Sequence, residues 1–141
     1  MPKLRRIVVT ALAASTLTVA TATSAQAATI DDYTNTAGPN VCGSVGFSRY
    51  GDVFRFLDVC RDGRGVRVQA TNPTTGVPST SDAKWHHDYT GGYTGYDWDN
   101  AGVYNTDINE DACFYFRAGL VDNGDFVDDS YGSWRLACAS N

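Results

Sequence analysis

All four cysteines of this chain, Cys42, Cys60, Cys113 and Cys138, lie beyond residue 41. An even set with no spare thiol reads as two disulfides, the usual reinforcement of small domains that fold in oxidising compartments. The residues upstream agree with that reading. A basic start (Lys3, Arg5, Arg6) precedes an apolar run from Ile7 to Ala20, and Ser24-Ala25-Gln26-Ala27 comes next. Ala25-x-Ala27 is the small-x-small pattern that signal peptidase cuts. The expected organisation is a secretory leader over residues 1–27, an extended arm over 28–41, and one β domain over 42–141. The leader's apolar run is too short to span a bilayer, nothing later resembles a span, and no lipobox cysteine stands at the cut. The mature chain is therefore expected to be secreted, extracellular and released, with no membrane association.

Charge sharpens once the leader is set aside. Three of the eleven basic residues lie in the leader, whereas all sixteen acids lie after it. The mature chain carries a net charge of about −8, which argues against a polyanion partner, because phosphate contacts need Lys and Arg. Nucleic acid is thus not an expected ligand, although five arginines fall between 49 and 67. All the aromatic residues also lie after residue 27, among abundant Gly, Asn, Asp and Thr. That mixture belongs to strands and tight turns rather than to helices.

Alternation locates the strands. Val53–Cys60 puts Phe54, Phe56 and Cys60 on one face and Val53, Arg55, Leu57 and Val59 on the other. Arg61-Asp62-Gly63-Arg64-Gly65 has Asp-Gly at its centre, and Val66–Ala70 returns with Val66, Val68 and Ala70 inward. These residues predict a β-hairpin. Asn72-Pro73 ends it, and Pro78 keeps 74–81 out of a central strand. Short strands are expected over 83–89 and 103–105. Cys113–Val121 places Phe114, Phe116, Ala118 and Leu120 on one face and runs into a hairpin turn, Asp122-Asn123-Gly124-Asp125. The last strand, Ser133–Cys138, has Trp134, Leu136 and Cys138 on one side. In the arm, Thr29–Thr36 has extended character. It is either a frayed terminus or a first strand, one that could be offered to a partner sheet. The expected fold is all-β: a small antiparallel β-sandwich or open barrel stapled by two disulfides. Of three possible pairings, Cys42–Cys60 and Cys113–Cys138 are favoured, since each joins segments that the strand reading makes neighbours.

Chemistry is sparse. His86 and His87 are adjacent, so on a strand they point to opposite faces and are poorly placed to share a metal or a proton relay. A hydrolase or nuclease reading would need one of them beside Glu110. No nucleophile elbow occurs. The aspartates of Asp97-x-Asp99, Asp107-x-Asn109-x-Asp111 and Asp122 to Asp129 resemble pieces of calcium loops, but none has the glycine and glutamate that complete one. No metal or cofactor is expected. The richest candidate is aromatic: Tyr89, Tyr93, Tyr96, Trp98 and Tyr104, with Asp99, in a glycine-rich stretch. Tyr and Trp offer rigid contact area at low entropic cost, and Asp supplies directed acceptors, which suits a protein-binding or sugar-binding face. Ile30 and Tyr33 of the arm join this candidate set.

The stretch Gly51-Asp52-Val53-Phe54-Arg55-Phe56-Leu57-Asp58-Val59-Cys60-Arg61-Asp62-Gly63-Arg64-Gly65 resembles one found in small secreted actinobacterial proteins, where a Gly-acid-aromatic strand ends in Asp-x-Cys before Asp-Gly. His86-His87-Asp88-Tyr89 and Cys113-Phe114-Tyr115-Phe116-Arg117 are similar to the later segments of those proteins, so the resemblance spans roughly residues 42–138. Some of these proteins look like the adaptor subunit of the umbrella toxin particles of Streptomyces. In those particles a disulfide-bonded β domain links a lectin-like subunit to a large toxin polypeptide through an extended N-terminal segment. The resemblance implies a linking segment around Thr29–Thr36. The expected function is a non-enzymatic module that binds another secreted or cell-surface protein, as an adaptor in an extracellular complex. The alternatives are an inhibitor of a secreted enzyme, with a rigid loop within 91–105 or 72–81; a carbohydrate-binding domain with Trp98, Tyr96 and Asp99 as a platform; and a small hydrolase or nuclease using His86 or His87 with Glu110.

Overall fold

A computed structural model describes residues 27–139, so the expected leader, apart from Ala27, lies outside the described residues. The described chain is all-β and antiparallel. One sheet, A, has the order β1-β2-β3-β7, with β1 at Asp32–Asn35, β2 at Gly43–Ser48, β3 at Val53–Asp58 and β7 at Gly102–Asn105. The other, B, has the order β10-β8-β4-β6, with β4 at Gly65–Thr71, β6 at Lys84–Tyr89, β8 at Ala112–Asp122 and β10 at Arg135–Cys138. Two short strands, β5 (Thr74–Thr75) and β9 (Asp125–Phe126), also pair with β8. Among the described residues no helix is long and apolar enough to cross a membrane.

The inward faces obey the alternation in the sequence. Phe47 of β2 and Phe54 of β3 meet Phe114 and Phe116 of β8, and Phe56 of β3 meets His87 and Tyr89 of β6; all five phenylalanines are essentially inaccessible to solvent. Phe47 and Phe114 meet edge to face at 5.0 Å, and Phe54 contacts Phe114 and Phe116 at 5.8 and 5.6 Å. Edge-to-face contacts of this kind suit the ring quadrupoles. Val66, Val68 and Ala70 of β4 complete the floor on the sheet B side. Both disulfides form as expected, Cys42–Cys60 and Cys113–Cys138. The Asn123-Gly124 turn closes the β8–β9 hairpin, with both residues at positive φ (50° and 89°), as a two-residue antiparallel connection requires.

The hairpin expected between Val53–Cys60 and Val66–Ala70 does not form. β3 is flanked by β2 on one edge and β7 on the other, so it has no edge left for β4. Residues 59–64 instead carry the chain from sheet A to sheet B. The end of β3 is held to sheet A by the bond from Val59 N to Cys42 O and by the Cys42–Cys60 disulfide. The Asp-Gly signal is real but serves an arch: Gly63 takes a φ of 80°, and Arg64 N donates to Asp62 Oδ1. In β10, Trp134, Leu136 and Cys138 do share a side, but it faces outward, and Ala137 and Ala139 fill the core.

The sandwich closes differently at its two edges. β1, the arm, is a strand of the protein's own sheet A. Its inward residues, Asp32, Thr34 and Thr36, are polar and buried. Asp32 receives both Arg49 and Arg135 at 3.0 Å, Thr34 Oγ1 donates to Ser133 O, and Ala37 N donates to Ser130 O. At the opposite edge the closure is aromatic: His87 of β6 stacks on Tyr104 of β7 at 3.7 Å, with Trp85 alongside.

Two substitutions separate core from seam. Phe114→Ala should cost about 3–5 kcal/mol in urea unfolding, the usual penalty for emptying a packed aromatic site. A Cβ at Gly132 would land on the Asn35 carbonyl oxygen, a backbone atom that cannot swing aside. Gly132→Ala should therefore force the β1–β10 seam apart and cost about 1–3 kcal/mol.

Candidate functional site

The stretch 90–101 leaves β6 at one edge of sheet B and rejoins sheet A at β7, passing the end of β3 on its way. It is pinned there. Thr94 N and Gly95 N donate to Asp58 O, and Asp58 N donates to Thr94 Oγ1 at 2.8 Å. Beyond the pin, a single 3₁₀ turn at Trp98–Asn100 is capped by Asp97, whose carboxylate accepts from Asp99 N and Asn100 Nδ2. A loop with its main chain bound at several points presents its side chains with little entropy left to lose on binding.

The candidate aromatics divide between core and surface. Tyr89 lies parallel to Phe56 and packs over Gly102, where any Cβ would collide with its ring. Tyr104 is occupied by its stack on His87. Trp98 covers Gly46 on the outer face of sheet A, next to Ile30. Tyr93 and Tyr96 remain on the surface, 43% and 77% exposed. One face of Tyr93 is covered by the Arg61 guanidinium, 4.0 Å from the ring centre, a cation–π contact supplied by the 59–64 arch. Arg61, Tyr93, Arg64 and Asn123 border an open cleft of about 500 Å³ at this end of the sandwich.

The arm and the loop, two separate candidates in the sequence, meet over Gly46. Ile30 and Trp98 share the space that a side chain there would fill. Ser48 Oγ donates to Thr29 O, and Ala28 N donates to Asp99 Oδ1 at 2.6 Å. Across the same outer face, Tyr33, Gly46, Arg55 and Val103 succeed one another in register through β1, β2, β3 and β7. Tyr33 and Val103 are 59% and 54% exposed, and the Arg55 Nε is buried without a hydrogen-bond partner among the described residues. Arg55 and Arg61 gave no functional signal in the sequence, where one read as a strand residue and the other as part of a turn. The platform of Trp98, Tyr96 and Asp99 is only partly available, since Trp98 packs on Gly46 and Asp99 is engaged by Ala28.

His86 and His87 point to opposite faces of β6, His86 exposed and His87 half-buried. Among the described residues no hydrogen bond or ion pair joins either imidazole to Glu110, which is exposed on the approach to β8. Asp88 is instead held by Arg67 through two bonds of 2.6 and 2.8 Å. Hydrogen bonding to that guanidinium draws the Asp88 carboxyl below its usual range, with burial opposing it. Burial lowers the His87 pKa below its ordinary value, with Asp88 partly offsetting this. Burial raises the Asp58 carboxyl, against the bond it accepts from Cys60 N. Among the described residues no group of three or more His, Cys, Asp or Glu side chains is placed to hold a metal ion.

No protein-family model matches the chain, and neither a curated protein nor a solved structure matches it.

The titrations predict a two-step loss of stability in acid. Unfolded, His87 takes its proton near pH 6.5, whereas folded it does so only at lower pH. Between those two values the unfolded chain binds more protons, so stability falls as pH drops through the window below 6.5. His87→Phe keeps a ring on Tyr104 and should flatten that part of a melting-temperature profile. Asp88 contributes above its unfolded value of about 4, and that contribution is lost only as pH falls through its still lower folded value. Asp58 works in the opposite sense, favouring the folded state as pH falls from its raised folded value toward about 4. Arg67→Met removes the bond that lowers Asp88 and leaves the burial that raises it, so the Asp88 part of the profile at low pH should be lost while the His87 step below 6.5 remains.

Proposed function

We propose that this chain is a secreted, non-enzymatic module that binds another secreted or cell-surface protein through the outer face of sheet A and the adjoining loop. The observation that carries this reading is the convergence of the arm and the Tyr-rich loop over Gly46, on a face where exposed Tyr33 and Val103 stand in register with an arginine whose buried Nε has no partner among the described residues, while the loop itself carries exposed Tyr96. Tyrosine and arginine on a rigid frame are the residues that most often dominate protein–protein binding energy. The two disulfides fit an oxidising, extracellular setting. An adaptor role, linking subunits of an extracellular toxin complex through the arm, is the specific form of this reading that the sequence resemblance suggests.

A second reading has its own observation. The loop carrying Tyr93 and Tyr96 is fixed to β3 by the Asp58–Thr94 bonds, as an inhibitory loop for a secreted enzyme would need to be. Inhibitors of that kind bind with little backbone movement.

Deleting the arm would remove strand β1 and the buried Asp32, confusing unfolding with loss of contact. Point changes avoid this. The mature protein, used to capture ligands from the producing organism's culture supernatant, should retain a stoichiometric partner. The double variant Tyr33→Ala/Tyr96→Ala should weaken that partner's binding at least about 30-fold, the effect of losing a hot spot of 2 kcal/mol, with an unchanged melting temperature. Equal binding by the variant would rule out this face. Capture of a hydrolase whose activity falls at one-to-one stoichiometry would favour the inhibitor reading.

A further inference from the structure

The bond from Ala28 N to Asp99 Oδ1 links the expected leader junction to a loop far along the chain. While residue 27 is attached, the Ala28 nitrogen is a neutral amide with one hydrogen. Hydrolysis of the Ala27–Ala28 peptide bond consumes one water. Its hydroxyl passes to the Ala27 carbonyl carbon, and that residue departs as a carboxylate with the leader. The Ala28 nitrogen gains protons to become an ammonium with three donors and a positive charge.

We propose that Asp99 is the counter-ion of the amino terminus that leader removal creates, so that processing turns a surface hydrogen bond into an ion pair that clamps the arm to the loop. This rests on cleavage after Ala27, not on the identity of any partner.

Three observations support it. Asp99 makes no ion pair with any arginine or lysine among the described residues, although four other such pairs form. Its main chain is held in place, because its own N–H is given to Asp97 Oδ1 within the capped turn. The arm is held on the other side, with Thr29 O accepting from Ser48 Oγ and Ile30 seated beside Trp98 over Gly46. The new ammonium is thus delivered beside a carboxylate whose main chain is anchored. A cut one residue earlier would leave an amide at Ala28 and carry the charge away from Asp99. The other charged groups on the elements around this pair are Asp97 on the turn, Asp31 and Arg49 at the β1–β2 end, and Arg55 on β3.

The test uses the mature protein beginning at Ala28, with the terminal amine monitored by NMR through a pH titration. Ordinary α-amines titrate at about 7.7–8.0. In the wild type the Ala28 amine should titrate higher by roughly half a pH unit, the size expected of an exposed pair. In Asp99→Asn, which keeps the shape and an acceptor oxygen, it should return to the ordinary value. A chain that retains Ala27 should show an ordinary terminal amine. A wild-type amine at the ordinary value, or an elevated value that survives Asp99→Asn, overturns the proposal. The intact mass of the exported chain checks the cut separately: a start other than Ala28 overturns the processing step, and none of these readouts depends on partner binding.

Discussion

Everything else in this molecule hangs on five phenylalanine rings packed between two sheets. Phe47, Phe54 and Phe56 come from sheet A, and Phe114 and Phe116 from sheet B; Phe47, Phe54, Phe114 and Phe116 have neighbouring ring centres 5.0–6.1 Å apart, and Phe56 meets His87 and Tyr89 of β6 at 5.8 and 5.9 Å. The disulfides do not substitute for this contact. Cys42–Cys60 ties the far ends of β2 and β3 within sheet A, and Cys113–Cys138 joins directly opposed residues of β8 and β10 within sheet B. Each makes its own sheet harder to unravel, by restricting the unfolded chain, but neither crosses from one sheet to the other. The union of the sheets is therefore a packing problem, and it is met by rings that fill the layer between them with little side-chain freedom to lose.

A core of this kind protects the faces of a sandwich but not its edges, where unpaired strands invite association with other chains. The two edges are handled with opposite chemistry. At β1 and β10 the buried carboxylate of Asp32 gathers Arg49 and Arg135, and hydroxyls and main-chain groups fill the remaining gaps. The two arginines keep about half of their side-chain surface in water, which limits the desolvation cost of the pair. At β6 and β7 the edge is covered by His87, Tyr104 and Trp85, and the cost there is a histidine that resists protonation. Two of the three connections that span from one sheet to the other, residues 59–64 and 90–101, gather at one end, where Thr94 fastens the second to the exit of β3, and the third, residues 106–111, crosses at the other end, where Thr106 N donates to Asp52 O.

Much of this was legible from residues close in sequence. Alternation put Phe54 with Phe56, and Phe114 with Phe116, on shared faces, and the turn residues marked Asn123-Gly124 as a hairpin turn, because side-chain direction and turn conformation are local properties. The disulfide pairs could be inferred from the strands they terminate. The Asp62-Gly63 turn misled, because a tight local turn cannot report whether the strand before it already has neighbours on both edges. That is decided by β2 and β7, which lie elsewhere in the chain. The arm was ambiguous for a related reason. Its inward positions are Asp32, Thr34 and Thr36, and no hydrophobic pattern marks a strand whose buried face is polar. The meeting of Ile30 and Trp98 over Gly46 depends on a glycine that looks ordinary in a strand, and on a loop nearly seventy residues further along, as the Ala28–Asp99 separation of 71 shows.

This division of labour bears on how the aromatic loop should be read. Of its rings, Tyr89, Trp98 and Tyr104 are committed to covering Phe56, Gly46 and His87, and only Tyr93 and Tyr96 are offered to solvent. The committed rings set the position of the free ones, because Trp98 and the Thr94 pin bracket Tyr96 on either side. The exposed rings and the structural rings are therefore neighbours on the same segment. A large truncation of that segment would report mainly on folding, whereas removal of a single exposed ring reports on contact. The arm obeys the same logic within four residues: Asp32 and Thr34 close the sandwich, while Tyr33 between them faces out. A strand that must stay paired to hold the fold together is also a rigid mount for the side chains on its other face, which is what a low-entropy binding surface requires.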